Sequence, residues 1–271
     1  MNMPQTQTEP VVLQEPPVLR QDQHGVATLT LNRPKQFNAM SEAVLTALQT
    51  ELDNIAQDSS IRAVVLAANG RAFCAGHDLK EMRAHPAQDY YSNLFGQCSR
   101  VMMSINQLPQ PVIAKVQGLA TAAGCQLVAA CDLAVAADTA QFATSGIRVG
   151  LFCSTPAVAV SRNLSRKQAM ELLLTGDFID APTAEKQGLI NRAVPLAELD
   201  AAVQHYVDAI VSKPPVAIFM GKEMFYKQLE MGMAEAYAYA SEVMACNMMD
   251  GGATEGIDAF IEKRTPNWNG K

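Results

Sequence analysis

Hydrophobic and polar positions divide the first half of the chain into strands and helices. Segment 25–32 alternates apolar and polar residues, which predicts a half-buried strand. From Ser41 onwards apolar residues recur with the 3.6-residue period of a helix, and Ser41 is a suitable N-cap. The continuous apolar run 63–68 predicts a strand buried on both faces of a sheet. Strand, helix and strand therefore predict a right-handed crossover.

The same pattern continues, with strands predicted at 111–116 and 133–136 and a helix at 122–130. Loops 69–80 and 117–124 follow predicted strands, where an α/β protein usually carries its functional groups. After Pro156 the pattern becomes mainly helical, with helices predicted at 166–174, 182–187, 196–211, 215–231, 234–249 and 254–263 and a short strand near Leu189 and Ile190.

Composition narrows the choice of partners. A chain of 271 residues fits one large α/β domain with a helical appendage. With 49% hydrophobic and 18% charged residues it is apolar for a monomer, which favours an oligomer. The net charge of -6 argues against a nucleic-acid partner. No apolar run reaches the ~20 residues of a membrane span, and the acidic segment 1–23 is expected to be a flexible leader of a cytoplasmic protein.

The cysteines do not predict a metal site. They are scattered through apolar stretches without the paired spacing of zinc ligands, so we expect reduced, mostly buried thiols and no metal. The six are Cys74, Cys98, Cys125, Cys131, Cys153 and Cys246.

Two motifs carry a family resemblance. Residues 71–82 read RAFCAGHDLKEM and residues 118–127 read GLATAAGCQL. With LNRPKQFNAM at 31–40, LTGD at 174–177 and AFIEKR at 259–264, they resemble the enoyl-CoA hydratase/isomerase (crotonase) superfamily from about Val26 to Trp268. The runs AAGCQL and GLFCSTP resemble one branch of that family in particular.

The resemblance implies a fold, an assembly and a ligand. It implies a crotonase-like α/β spiral of repeated ββα units over 24–200 and a helical C-terminal trimerisation region over 201–271. A homotrimer, or a hexamer made of two trimers, is expected. The ligand would be an acyl-CoA (enoyl-CoA) thioester of fatty acid metabolism, and CoA would enter as part of the substrate, with no permanently bound cofactor.

By the same resemblance, the backbone N–H groups of His77 and Ala123 form an oxyanion hole. A thioester reaction that develops negative charge on the carbonyl oxygen needs two fixed donors, and a loop N–H and a helix N-terminus supply them. Gly124 permits close backbone approach there. The alternative is a tight strand-to-helix turn that only packs.

The two glutamates that family hydratases use align with Gln126 and Gly146. A glutamine orients water but cannot take its proton near neutral pH, and a glycine offers no side chain. A fast hydratase is therefore not expected, although the family is named for that lyase reaction. The open alternatives are a catalytically weak acyl-CoA binder and a different thioester reaction, such as isomerisation or hydrolysis. Restoring both glutamates is expected to raise hydratase activity.

The resemblance also implies a CoA site. Cationic side chains would meet the phosphates, Phe37 and backbone groups would hold adenine and pantetheine, and two C-terminal residues would reach a neighbouring subunit's ligand. The residues are Lys35, Phe37, Arg71, Ala75, Gly76, Asp78, Leu79, Lys80, Gly124, Phe260 and Lys263.

Two further groups near these motifs have chemical potential. Cys153 is either a nucleophile or an inert packed thiol. His85, with Tyr90 and Tyr91, is either a lid over the acyl chain that supplies a base or an ordinary surface histidine.

Overall fold

The strands of the protein form two sheets, which the predicted crossovers connect. The computed structural model describes residues 15–268. Its strands are β1 (Val18–Gln23), β2 (Val26–Leu31), β3 (Ala63–Ala68), β4 (Ala72–Cys74), β5 (Val112–Val116), β6 (Leu119–Thr121), β7 (Leu133–Ala137), β8 (Gln141–Ala143), β9 (Ile179–Asp180) and β10 (Arg192–Val194). Its helices are α1 (Glu42–Ala56), α2 (Leu79–Ala84), α3 (Gln88–Gln107), α4 (Ala123–Ala130), α5 (Ser154–Val160), α6 (Arg166–Thr175), α7 (Ala181–Gln187), α8 (Leu199–Val211), α9 (Pro215–Gln228), α10 (Met233–Met248) and α11 (Gly251–Ile261).

The larger sheet has the order β1-β2-β3-β5-β7-β10, and the smaller sheet has the order β4-β6-β8-β9. Only β1 with β2 and β8 with β9 pair antiparallel; the remaining neighbours are parallel. The central turns of the chain each add one strand to the larger sheet, one to the smaller sheet and then at least one helix, as in β5, β6 and α4. This is the predicted spiral of ββα units.

Local patterns predicted the first elements well. Strand β2 buries every second residue, and α1 buries the five apolar side chains that defined its period. The Ser41 hydroxyl accepts a hydrogen bond from the Val44 N–H at 3.3 Å, so Ser41 caps α1 as predicted. These elements are confirmed because each hides its apolar face against the common core.

Several segments differ from prediction, three of them in larger elements or in assigned ones. The strand near Leu189 and Ile190 is wrong: both side chains are buried in a turn, and the strand is Arg192–Val194, which pairs with β7. Residues 18–23, assigned to the flexible leader, form β1 and pair with β2, whereas residues 1–14 of that leader lie outside the described residues. Helix α3, twenty residues long, was not predicted.

The C-terminal helices divide into two kinds. Helix α8 begins at Leu199 and so crosses the predicted boundary at residue 200, and its buried face packs against the larger sheet. Helices α9 to α11 each bury one residue at most. They are anchored where Lys222 Nζ contacts Asp132 Oδ2 at 2.6 Å and Tyr226 donates to Asp132 Oδ1 at 2.8 Å. None of the helices within 15–268 is long and apolar enough to cross a membrane.

Candidate functional site

A cavity of about 250 Å³, called here the main cavity, lies where the two predicted loops meet. Its lining is mostly apolar and comes from the loop after β4, from α2 and α3, from the start of α4, and from segment 145–156. The lining residues are Ala75, His77, Leu79, Met82, Phe95, Ala122, Ala123, Ser145, Gly146, Val149, Leu151, Phe152, Cys153, Ser154, Thr155 and Pro156. Among these described residues there is no carboxylate.

The backbone N–H of His77 points away from the segment that pairs with it. Met40 pairs with His77 as a parallel bridge: its N–H donates to the Gly76 carbonyl at 2.8 Å, and its carbonyl accepts from the Asp78 N–H at 3.2 Å. In such a bridge the central residue turns its own N–H to the opposite side. Within residues 15–268 the His77 N–H has no protein acceptor.

Ala123 supplies a second free N–H because it is the first residue of α4. The first N–H groups of a helix have no intrahelical acceptor, and the helix dipole favours negative charge there. The preceding residue, Ala122, has φ 51° and ψ -120°, a backbone conformation that is costly for any residue except glycine. This strained turn sets the direction in which α4 begins.

Two glycines bring these N–H groups together. Gly76 has φ +92°, and a Cβ there would lie 2.9 Å from the Ala122 Cβ and 3.4 Å from the Ala123 nitrogen. A Cβ on Gly124 would lie 2.1 Å from the Cys74 carbonyl oxygen. Contacts this short leave room only for glycine, so the two loops can approach closely. A pair of fixed backbone donors is what an oxyanion requires.

Gln126 lies three residues after Ala123 on α4 and is only 3% exposed. Its Oε1 has no hydrogen-bond partner within the described residues. The side chain is absent from the described lining of the main cavity, although Ala123 of the same helix and the preceding Ala122 belong to that lining. A buried amide oxygen without a partner is costly and marks a polar position in an apolar surrounding.

Gly146 lines the main cavity but leaves no space for a side chain. A Cβ there would lie 2.5 Å from the Leu151 carbonyl oxygen and 2.8 Å from the Cys153 Sγ. The Leu151 N–H donates to the Gly146 carbonyl at 3.0 Å, which holds the loop in this fold. The position of the second usual acid is thus occupied by backbone and sulfur.

The titratable groups in the described lining favour their neutral forms. Burial lowers the pKa of His77 to about 4, and its ring packs edge-on against Phe95 with centroids 5.3 Å apart. Its Nε2 is buried without a partner. Burial also raises the pKa of the Cys153 thiol, so a thiolate nucleophile is disfavoured at neutral pH.

The predicted lid residues lie on the elements that cover the cavity, but they do not line it. The His85 ring stacks on Tyr90 with centroids 4.8 Å apart, and the Tyr91 hydroxyl donates to the Met82 carbonyl at 3.1 Å. Instead, Met82 and Phe95 from α2 and α3 line the cavity. Sequence reasoning missed both, and the helical period of α3 was the signal available for Phe95.

Part of the predicted CoA site is brought together. The Arg71 guanidinium lies 4.5 Å from the Phe37 ring centroid, and the Phe37 carbonyl accepts from the Ala75 N–H at 3.1 Å. Leu79 lines the cavity and is 53% exposed. Lys35 and Lys80 are exposed to solvent.

Other predicted CoA residues have different surroundings. The Asp78 carboxylate caps α2 by accepting from the Lys80 and Glu81 N–H groups, so it has a structural partner already. Phe260 is 85% exposed at the end of α11, and Lys263 is exposed after it. Neither lines the main cavity, so any role for them stays a prediction that needs a second chain.

The comparisons with known proteins agree on one family. A family model described as enoyl-CoA hydratase/isomerase matches residues 21–271. The rat protein named enoyl-CoA hydratase domain-containing protein 3, mitochondrial, is 43% identical over 247 residues, which is 91% of this chain and 82% of that protein. This is the branch that the AAGCQL and GLFCSTP runs predicted.

Solved structures give the same result. The crystal structure of an enoyl-CoA hydratase from Mycobacterium smegmatis has a TM-score of 0.93 at 58% identity, over 94% of this chain and 99% of that one. The human enoyl-CoA hydratase domain-containing protein 3 structure has a TM-score of 0.91 at 43% identity, over 93% of this chain and 100% of that one.

These comparisons correct one prediction and settle another. The predicted cytoplasmic location is contradicted by the curated relatives, which are named as mitochondrial proteins; acids and prolines in a leader are a weak guide to location. The motifs, the two-sheet spiral, the family model and the structural matches agree. This chain belongs to the enoyl-CoA hydratase/isomerase family.

Proposed function

We propose that the protein binds an acyl-CoA (enoyl-CoA) thioester and polarises its carbonyl with the backbone N–H groups of His77 and Ala123. The observation that carries the proposal is the pair of free N–H groups at one apolar cavity, held close by Gly76 and Gly124. Two fixed donors in an apolar pocket stabilise negative charge on a carbonyl oxygen more than water does.

The same cavity argues for weak hydratase chemistry. Hydration needs a base for water and an acid for carbon, whereas Gln126 and Gly146 provide neither. Each missing general acid or base typically costs ~10²–10⁴-fold in rate. The protein is therefore an acyl-CoA binder with low hydratase turnover, acting in acyl-CoA metabolism.

CoA itself would lie across the Phe37 and Arg71 pair. Lys35, Arg71 and Lys80 are cations suited to its phosphates, and Phe37 offers a face for adenine. The backbone from Ala75 to Leu79 would hold pantetheine, because this segment already lines the main cavity at Ala75, His77 and Leu79.

We further propose a homotrimer, or a hexamer of two trimers, built through α9 to α11. Large apolar side chains lie on the surface of these helices, with Met233 75%, Tyr237 70% and Phe260 85% exposed. Surfaces of this kind in soluble proteins usually contact another chain. In such an assembly Phe260 and Lys263 of one chain would approach the CoA of its neighbour.

The test compares a thioester with its thioether. Isothermal titration with butyryl-CoA and with the analogue in which CH₂ replaces the carbonyl should show about tenfold weaker binding of the analogue, because two hydrogen bonds are lost. The stretching frequency of a ¹³C-labelled carbonyl should fall on binding. Equal affinities and an unshifted carbonyl would overturn the oxyanion hole.

A second measurement addresses the chemistry. Hydration of crotonyl-CoA should be slower than two carboxylates permit, by at least ~10²-fold. Turnover of crotonyl-CoA in the ordinary range of 1–10³ s⁻¹ would overturn the weak-hydratase part and leave the binding part standing.

A further inference from the structure

A second cavity, called here the outer cavity, adjoins the first. It has a volume of about 680 Å³ and is formed by small and apolar residues of α5 and α6 together with Phe152, Ser161 and Arg166. Phe152 lines both cavities. Phe152 is thus a wall shared by the two cavities, and a ligand chain that passed it would enter the outer one.

Phe152 stands at this junction on a short, fixed segment. Its carbonyl accepts from the Ser154 N–H at 2.8 Å, and its side chain is 39% exposed. The next large apolar side chain of the outer cavity, Met170, is 43% exposed. Exposed apolar side chains around a concavity favour an apolar occupant, such as the methylene chain of a long acyl group.

Arg166 gives the outer cavity a positive charge. It is the first residue of α6 and is exposed to solvent, and within residues 15–268 its guanidinium has no hydrogen bond or ion pair. By contrast, the nearby Arg162 donates to the Val158 carbonyl at 3.1 Å and pairs with Glu230 at 3.4 Å. A guanidinium without a partner at the edge of an apolar cavity is suited to a carboxylate, which it binds with two parallel hydrogen bonds.

We propose that the outer cavity receives the far end of a long acyl chain and that Arg166 binds a carboxylate at that end. The substrate class is then the CoA monothioester of a dicarboxylic acid. The proposal rests on the proposed function, because the thioester must occupy the main cavity for the chain to pass Phe152.

Two matched series of CoA thioesters test the proposal by isothermal titration of the full chain. One series ends in a methyl group and the other in a carboxylate, with chain length increasing in step. Beyond the length that reaches the outer cavity, the carboxylate series should bind about two- to fivefold more tightly, the range for an exposed ion pair. At shorter lengths the carboxylate should weaken binding, since it would be buried without a partner.

Arg166→Gln should abolish the preference for the carboxylate and leave the affinity for methyl-ended chains unchanged. Arg166→Lys, which keeps the charge and loses the two-pronged geometry, should retain part of it. Arg162→Gln is the matched control and should keep the full preference. Phe152→Ala should favour long chains over short ones, because it widens the junction.

The outcomes separate the two proposals. If butyryl-CoA binds but no carboxylate-ended chain is preferred at any length, this inference is overturned and the proposed function stands. If no acyl-CoA binds, both are overturned. If Arg166→Gln instead changes the sedimentation coefficient and leaves ligand preference intact, Arg166 is a contact between copies of this chain, and the inference is again overturned.

Discussion

The two sides of the main cavity differ in what carries their chemistry. On one side, the His77 and Ala123 N–H groups belong to the backbone, and glycines at 76 and 124 hold them in place. On the other side, Gly146 lines the cavity without a side chain, and Gln126 is buried outside the described lining; the family resemblance aligns these two positions with the hydratase carboxylates. Backbone donors persist as long as the chain fold does, whereas acids disappear with single substitutions. Binding and carbonyl polarisation can therefore outlast hydration.

The positions of Gly146 and Gln126 are not empty space. The Leu151 carbonyl and the Cys153 sulfur approach Gly146 so closely that even a Cβ does not fit. The Gln126 side chain is buried, and its Oε1 has no hydrogen-bond partner within the described residues. Of the two positions that the resemblance aligns with acids, one holds the neutral amide of Gln126, and the loop leaves no room for a side chain at the other.

Gly124→Ala should disrupt the close approach of the two loops that carry the N–H groups, and it should have the largest effect on stability and binding. Its Cβ would lie 2.1 Å from the Cys74 carbonyl oxygen, and neither backbone can yield without parting β4 from α4. We expect the free energy of unfolding to fall by about 3 kcal/mol or more, with loss of acyl-CoA binding. Urea denaturation and titration calorimetry measure both.

The control for that change is Gly221→Ala in α9, where a Cβ meets no atom within 4 Å. It should stabilise by about 0.5–1 kcal/mol through helix propensity. A Gly124→Ala protein with normal stability and ligand affinity would show that the close approach of the two loops is unnecessary.

Lowering the pH should also decrease the free energy of unfolding, because it favours protonation of the buried His77 ring. Its pKa is 6.5 when unperturbed and about 4 in the fold, because burial disfavours the imidazolium. The unfolded chain thus takes up the proton first. The stability is fully present above pH 6.5 and is lost as the pH falls towards 4, on the order of 3 kcal/mol in all.

His77→Gln isolates this contribution because it keeps the backbone N–H and removes the titrating ring. The free energy of unfolding, measured by urea between pH 7 and about pH 4.5, should fall less steeply in His77→Gln than in the wild type. His85→Gln, at an exposed histidine, is the matched control. Identical slopes for wild type and His77→Gln would refute the buried-ring explanation.

Gly146→Glu tests whether the loop around Gly146 excludes a side chain. Its effect on stability should be of intermediate size. Displacing the Leu151 carbonyl should cost about 2 kcal/mol of stability. The double variant Gln126→Glu and Gly146→Glu should therefore gain little hydratase activity, in contrast to the expectation from sequence. Adding Cys153→Ala should recover part of the stability, which a double-mutant cycle measures. A stable double variant with rapid crotonyl-CoA hydration would show that the loop opens readily.

The sequence predicted the parts of this molecule that repeat a pattern. The alternation in β2, the helical period of α1 and the two glycine-containing loops identified the crossovers and the site between them. The polar strand β1 gave no such pattern, because five of its six residues are not buried and only pairing with β2 fixes it. The period of α3 was present in Leu94, Cys98 and Val101, but the aromatic residues at its start drew the interpretation towards a lid.

The closed acid position could not have been predicted from spacing. Leu151 and Cys153 follow Gly146 by only a few residues, and whether their atoms fold onto it depends on the left-handed turn at Gly150, φ +81°. Likewise, the burial of the His77 ring depends on Phe95, which lies on a helix that begins eleven residues later. Both features depend on tertiary contacts, so the sequence shows which residues are present but not what surrounds them in the fold.

Ala122→Gly should have the smallest effect and sharpens the comparison most directly, since it changes only backbone strain. At φ 51° and ψ -120° an alanine is strained, whereas glycine adopts this conformation freely. We expect the free energy of unfolding in urea to rise by about 1 kcal/mol, with acyl-CoA affinity unchanged. Ala123→Gly, one residue into α4, is the control and should stabilise nothing, because a helical residue gains no relief. If Ala122→Gly leaves stability unchanged but weakens binding, the strained alanine is positioning the Ala123 N–H, and the backbone side depends on a side chain after all.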